Sequence, residues 1–225
     1  MYCAIIGDLV ESRELDERWK IQEQLNKVLG QVNEKYKADI AAKFTITLGD
    51  EFQGLMHRTN ETLIILDEIR FHMYPVKIRF GIGIGPMSTV INEAAAIGAD
   101  GPAYYAAREG LLSIKNLNGK YVQPFMDTMC YVYRVASKSL EDADIFNATL
   151  SAIGFIANKW TDKQRDIITE VERGELSQRD IGKKLEITQS SVQRRLDSAG
   201  YYTYRHGREV SNRYLNNLWE AIDEQ

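Results

Sequence analysis

Two acidic segments hold the residues of this chain best suited to chemistry. The first is Ala4-Ile5-Ile6-Gly7-Asp8-Leu9-Val10-Glu11-Ser12-Arg13, and the second is Phe44-Thr45-Ile46-Thr47-Leu48-Gly49-Asp50-Glu51-Phe52-Gln53. Each sets an Asp at or just past the end of an apolar, strand-like run. A hard cation such as Mg2+ (or Mn2+) takes one or two carboxylates and completes its shell with phosphate oxygens and water. Two strand ends that meet can therefore hold metal over a nucleotide phosphate, with Asp8, Asp50 and Glu51 as the ligands. A structural reading competes: Asp at a strand end also caps helices and turns, and Gly49-Asp50 is a tight-turn signal in its own right.

The surrounding pattern supplies elements to position these residues. Tyr2 to Gly7 reads as a strand. Leu15 to Lys37 reads as an amphipathic helix, with Trp19, Leu25, Val28, Leu29, Val32 and Tyr36 recurring mostly at three- and four-residue steps. Lys43–Leu48 and Glu51–His57 read as a hairpin, and a helix carrying Leu63, Leu66, Ile69 and Met73 ends at Pro75. Thr59 or Asn60 is placed to cap that helix. Val76–Ile84 is a strand running into Gly81-Ile82-Gly83-Ile84-Gly85-Pro86, whose alternating glycines admit close packing of a neighbouring backbone. A helix over Pro102 to Asn116 and strands near Lys120–Phe125 and Met129–Val135 follow. The order β-α-β-β-α-β with extensions is the split βαβ, ferredoxin-like pattern. The fold expected is thus α/β (α+β): a palm domain over 1–136, a linker helix over 137–160, and an all-α domain over 161–225.

Four ordered matches point to a known superfamily. Asp8-Leu9-Val10-Glu11-Ser12-Arg13 resembles the Asp-hydrophobic-Val-Gly-Ser-Thr metal motif of class III nucleotidyl cyclases. Leu48-Gly49-Asp50-Glu51-Phe52 resembles their second metal hairpin and, equally, the Gly-Gly-Asp-Glu-Phe turn of diguanylate cyclases. Ile82-Gly83-Ile84-Gly85-Pro86 is similar to the cyclase strand that closes with Gly-Pro. Ala103-Tyr104-Tyr105-Ala106-Ala107-Arg108 resembles the helix segment Val-Asn-x-Ala-x-Arg. The resemblance implies metal on Asp8, Asp50 and Glu51, and nucleotide contacts at Leu9, Ser12, Arg13 and Gly49. It implies a catalytic role for Arg108 in steadying the transition-state phosphate, and a purine nucleotide as ligand. Tyr104 stands where that family has Asn, Glu11 where it has Gly, and Ile46 where a base-selecting Lys would be. Over most of its length the chain also resembles the SatD family, through Gly7–Arg13, Phe44–Leu55 and Ile97–Tyr105. That family is named for secretion and acid tolerance in Gram-positive bacteria, which implies a cytoplasmic protein in a stress-linked context.

A second constellation lies near the C-terminus. Thr161 caps a helix that breaks at Gly174; Leu176–Leu185 forms a short helix, Glu186-Ile187-Thr188 a turn, and Thr188–Leu196 a third helix. Ile181, Leu185, Ile187, Val192 and Leu196 have the spacing that locks a helix-turn-helix, which leaves Gln189, Ser190, Gln193 and Arg194 to face a major groove. The segment resembles the helix-turn-helix of sigma-factor region 4. Between 188 and 213, Arg194, Arg195, Arg205, Arg208 and Arg213 face only Asp197 and Glu209. Arg195, Arg205 and Arg208 join the expected DNA contacts, the last two on a short wing over Tyr201–Val210. The bland alternative is a trihelical packing module that binds a protein partner.

The bulk composition narrows the classes. A net charge of −4 draws the whole chain to neither nucleic acid nor membrane. Two distant cysteines, Cys3 and Cys130, argue against a disulfide scaffold and against a zinc cluster, and suit a reducing cytoplasm. His57, His72 and His206 are scattered and read as surface or structural residues, not ligands. The expected function is a cytoplasmic regulator, most simply a homodimer, that couples Mg-nucleotide binding to DNA binding. The alternatives are an active nucleotidyl cyclase or phosphotransferase on ATP or GTP, and a degenerate palm used as a dimerisation scaffold.

Overall fold

Strand alternation and helical spacing build the expected α+β frame. The computed structural model describes residues 1–10, 18–120 and 127–223. Its first elements are β1 (Tyr2–Leu9), α1 (Arg18–Lys35), β2 (Ile40–Leu48), β3 (Glu51–Met56), α2 (Thr62–Met73) and β4 (Ile78–Gly85). β1 lies between β3 and β4 and runs antiparallel to both. After α3 (Pro102–Lys120), β5 (Thr128–Arg134) pairs parallel with β4, and β6 (Ser139–Asp142) pairs antiparallel with β5. The sheet order is β2-β3-β1-β4-β5-β6. Its first four strands are the ferredoxin-like core.

Alternation along the strands gives the sheet two buried faces. Cys3, Ile5, Phe52, Phe80 and Ile82 pack with Leu25, Leu29, Leu66 and Ile69 of α1 and α2. Ala4, Ile6 and Leu55 pack with Ala103, Tyr104, Ala107 and Leu111 of α3, and with Ala96 of the loop that precedes it. That loop is pinned to β2 and β3: Ala96 N donates to Lys43 O (3.2 Å), Lys43 N to Glu93 O (3.2 Å), and Gln53 Nε2 to Ala96 O (2.6 Å).

The remaining chain is helical: α4 (Asp144–Asn158), α5 (Asp162–Arg173), α6 (Gln178–Lys184), α7 (Gln189–Ser198) and α8 (Tyr201–Asp223). One buried cluster runs from Ile5 and Phe80 of the sheet through Trp160 to Ile167, Val192 and Leu215.

Several boundaries depart from expectation. The segment expected to open a linker helix forms β6, because Ser139–Asp142 completes the hydrogen bonding of β5; the helix begins only at Asp144. The expected wing over Tyr201–Val210 is the start of α8. Gly200, at φ +63°, makes the turn, and Tyr201, Tyr204, Arg208, Ser211 and Leu215 then recur on one buried helical face. Thr59 does not cap α2. It is buried and donates to Asn216 Oδ1 at 2.8 Å. Trp19 is 61% exposed, outside the apolar stripe of α1. The expected strand at Lys120–Phe125 and the helix start at Leu15 fall largely outside the described residues; Lys120 itself ends α3.

Candidate functional site

The chemistry-bearing carboxylates gather at one end of the sheet. Asp8 is the register partner of Glu51 on β3 and of Arg79 on β4. Directly opposed residues in a sheet project to the same side, so all three share the face that α3 covers. Arg108 and Lys115 reach this end from α3, seven positions apart and hence on one side of the helix. Arg108 binds Glu51 through both guanidinium ends, Nη2 to Oε1 at 2.7 Å and Nη1 to Oε2. Lys115 Nζ lies 3.1 Å and Arg79 Nη1 3.6 Å from Asp8 Oδ2. The hydrogen bonds to Glu51 hold the Arg108 guanidinium above its usual pKa, against the opposing pull of partial burial.

The glycine strand sets how closely α3 can lie. A Cβ on Gly81 would sit 2.0 Å from the Ala107 carbonyl oxygen, and one on Gly83 would sit 2.0 Å from that of Ala103. Backbone therefore lies on backbone, with Ala103, Ala106 and Ala107 supplying the small helix face. Arg108, one residue past this contact, is delivered onto Glu51. Tyr104, one turn earlier, is 6% exposed, and its hydroxyl is buried without a hydrogen-bond partner.

The hairpin holds the other candidate ligand. Gly49 has φ +64°, which glycine takes without cost. Its carbonyl accepts from Gln22 Nε2 at 2.6 Å, and the Asp50 carbonyl accepts from Leu9 N at 3.1 Å. These bonds fix the turn beside Asp8. Among the described residues, no group of three or more His, Cys, Asp or Glu surrounds a common point. Mg2+ needs only one or two carboxylates from protein, so the donor set Asp8 and Glu51, with Asp50 on the adjoining turn, fits it in chemical type. Arg79 and Lys115 were not foreseen as members of this site. Lys115 was legible as Arg108 plus two helical turns. Glu11, Ser12 and Arg13 lie outside the described residues.

Two short helices, α6 and α7, lie where the sequence suggests a helix-turn-helix. Ser177 Oγ caps α6 by accepting Asp180 N at 3.2 Å, and Thr188 Oγ1 caps α7 by accepting Ser191 N at 3.1 Å. A Cβ on Gly182 would lie 2.8 Å from Ile187 O, so α6 and the turn cross closely there. Ile181, Val192 and Leu196 are buried. Gln189, Ser190 and Arg194 are exposed, and Arg195 is half-buried. Gln193 is engaged inside the module: its Oε1 accepts from Gln178 (2.9 Å) and Tyr202 (3.1 Å), and its Nε2 donates to Asp197 (3.0 Å). Arg205 is exposed and paired with Glu209 at 3.1 Å. Arg208 corrects the expectation of an outward DNA contact. It is 8% exposed and donates to both carboxylate oxygens of Asp67 at 2.7 Å and to Leu63 O at 2.9 Å. Its place on the buried stripe of α8 turns it toward α2.

Among known proteins, the SatD family model matches residues 2–215. No curated protein matches the chain. One solved structure, described as the guanylyl cyclase Cya2, is similar at 13% identity over 50% of this chain and 69% of its own, with a TM-score of 0.33. None of the described helices is long and apolar enough to cross a membrane.

Proposed function

The chain belongs to the SatD family, and from that premise we propose that it is a regulator: a Mg-nucleotide site at the end of the sheet, coupled to a DNA-binding α6–α7 unit. One observation carries the reading. Asp8 and Glu51, opposed on neighbouring strands, are both held by cations: Asp8 by Arg79 of β4 and Lys115 of α3, Glu51 by Arg108 of α3. Such a site exchanges partners. Asp8 and Glu51, with Asp50, would hold Mg2+, which when bound neutralises phosphate charge. Arg79, Arg108 and Lys115, released from the carboxylates, would face phosphate oxygens. Either half of the ligand alone breaks ion pairs without replacing both sides, so metal and nucleotide bind together or weakly. The buried Tyr104, at the position of a ribose-orienting Asn, supports binding over turnover.

The DNA half rests on the capped α6–α7 pair and on the exposed Gln189, Ser190 and Arg194. A homodimer would present two such helices to paired half-sites.

Calorimetry and thermal unfolding of the full chain with ATP or GTP test the first half. Stabilisation is expected only when Mg2+ and a nucleotide are both present, and Asp50→Asn should abolish it while leaving the unliganded melting temperature unchanged. No response to either nucleotide with Mg2+ ends the reading. Binding to genomic fragments at stated salt tests the second half. Arg194→Ala should cost about 1–3 kcal/mol at one base pair if it reads a guanine edge, or flatten the salt slope if it meets phosphate. A full chain that retains no fragment above non-specific background, with or without nucleotide, reassigns α7 to protein contacts.

A further inference from the structure

A continuous series of close contacts joins the charged end of the sheet to the end of α7. It begins at Phe52, the residue after Glu51, whose ring lies against Gly7: a Cβ there would meet Phe52 Cζ at 2.2 Å. Phe52 meets Phe80 edge-on at 6.1 Å between centroids. The Arg70 guanidinium carbon lies 5.3 Å from the Phe80 centroid. Arg70 donates from Nη1 to Asp67 Oδ1 (2.6 Å), and from Nη2 to Asp127 Oδ1 (3.1 Å) and Thr128 Oγ1 (3.0 Å). Asp67 also accepts from Arg208 of α8 and from the Tyr204 hydroxyl at 3.1 Å. Tyr204 packs edge-on against Trp160 at 4.8 Å, and Trp160 Nε1 donates to Ala199 O at 2.8 Å. Ala199 is the C-cap of α7.

Two features single out Arg70 in this series. Its Nε–H is buried without an acceptor, although both terminal nitrogens are bonded. A buried unpaired donor costs free energy, so the side chain is held there by its other contacts. Asp67 Oδ1 serves three donors at once: Arg70, Arg208 and Tyr204. Any displacement of Arg70 hands more of that oxygen to the two α8 donors, and so shifts Tyr204 against Trp160.

We propose that Arg70 is a positioning residue that transmits the state of the Asp8–Glu51 end of the sheet to the C-terminal cap of α7. The proposal rests on the reading above for its ligand but not for its geometry. Arg70 touches no reacting group. It couples, because only a planar fork can bridge Asp67, Asp127 and Thr128 while covering the Phe80 ring.

The test uses the full 15N-labelled chain and its three indole N–H signals, assigned by Trp→Phe substitution. Glu51→Gln breaks the bidentate pair without any ligand. It should displace the Trp160 signal while leaving Trp219, on α8, in place. In an Arg70→Lys background, which keeps the charge but loses the fork, that displacement should disappear. Phe80→Leu, which cuts the same link at the ring, serves as the second background should Arg70→Lys not fold. Equal displacement in either background, no displacement in the parent, or equal movement of Trp219 overturns the proposal, the last because it signals general loosening. Calorimetry with Mg2+ and GTP runs in parallel. Binding that leaves Trp160 unmoved also overturns the coupling. No binding, with the Glu51→Gln displacement intact and dependent on Arg70, supports the coupling and removes the ligand reading alone.

Discussion

At the scale of residues, Arg108 offers the sharpest test, because its role depends on shape as well as charge. Its two-pronged hold on Glu51 is a geometry that a lysine ammonium cannot copy. Arg108→Lys should keep the fold and the Mg2+ requirement but weaken nucleotide binding severalfold; an unchanged affinity by calorimetry would remove Arg108 from phosphate contact. The cysteines give an independent check on the core. Cys3 and Cys130 are fully buried, and burial pushes the Cys3 thiol up to about 12, only partly offset by its contact with Thr62. The thiolate is the reactive form, so neither cysteine should be alkylated in the native protein at neutral pH. Mass spectrometry should find label appear only as the chain unfolds, and rapid native labelling of Cys3 would show that β1 is not sealed as described.

At the scale of elements, the contact between β4 and α3 decides where the site's cations stand. Gly83→Ala would drive a Cβ into the Ala103 carbonyl and should cost about 1–3 kcal/mol or more. Gly30→Ala, on α1 with nothing within 4 Å of the added carbon, should instead stabilise by about 0.5–1 kcal/mol. Urea unfolding of the two variants separates a packing requirement from a general tolerance of alanine, and equal midpoints would count against backbone-on-backbone packing. The same elements show what sequence can reveal. The strands β1 to β4 were legible, and so were the glycine run within β4 and the helix start at Thr161, because each is a local signal. β6 was not, since four residues rich in charge become a strand only when β5 lies beside them. The identity of α8 was lost for a related reason. A Tyr- and Arg-rich stretch looks like a solvated wing until Arg208 is seen to meet Asp67, and that partner lies far away in the chain.

At the scale of the whole molecule, Asp67 is the point where the sheet's helices and the C-terminal helices are fastened. Its carboxylate and that of Asp127 are the counter-charges of the Arg70 and Arg208 guanidinium groups. Asp67→Asn would leave Arg208, and part of Arg70, as buried uncompensated charge and should cost about 3–5 kcal/mol. Glu34→Gln, which breaks a solvent-exposed pair with Lys37, should leave the unfolding midpoint where it was; comparable losses in the two variants would mean that the Asp67 fastening is not buried in solution. The same fastening orders events in time. Asp67 and Arg208 are 141 positions apart and Thr59 and Asn216 are 157 apart, so these contacts close very large loops in the chain. Contacts of such long range form slowly compared with local helices and hairpins. In a Trp19→Phe, Trp219→Phe chain, Trp160 fluorescence should therefore recover later on refolding than the far-ultraviolet circular dichroism, and coincident traces would contradict this order. In that order the outer face of α2 would stay uncovered until α8 docks, and the sheet would be built before its charged end is joined to the C-terminal helices.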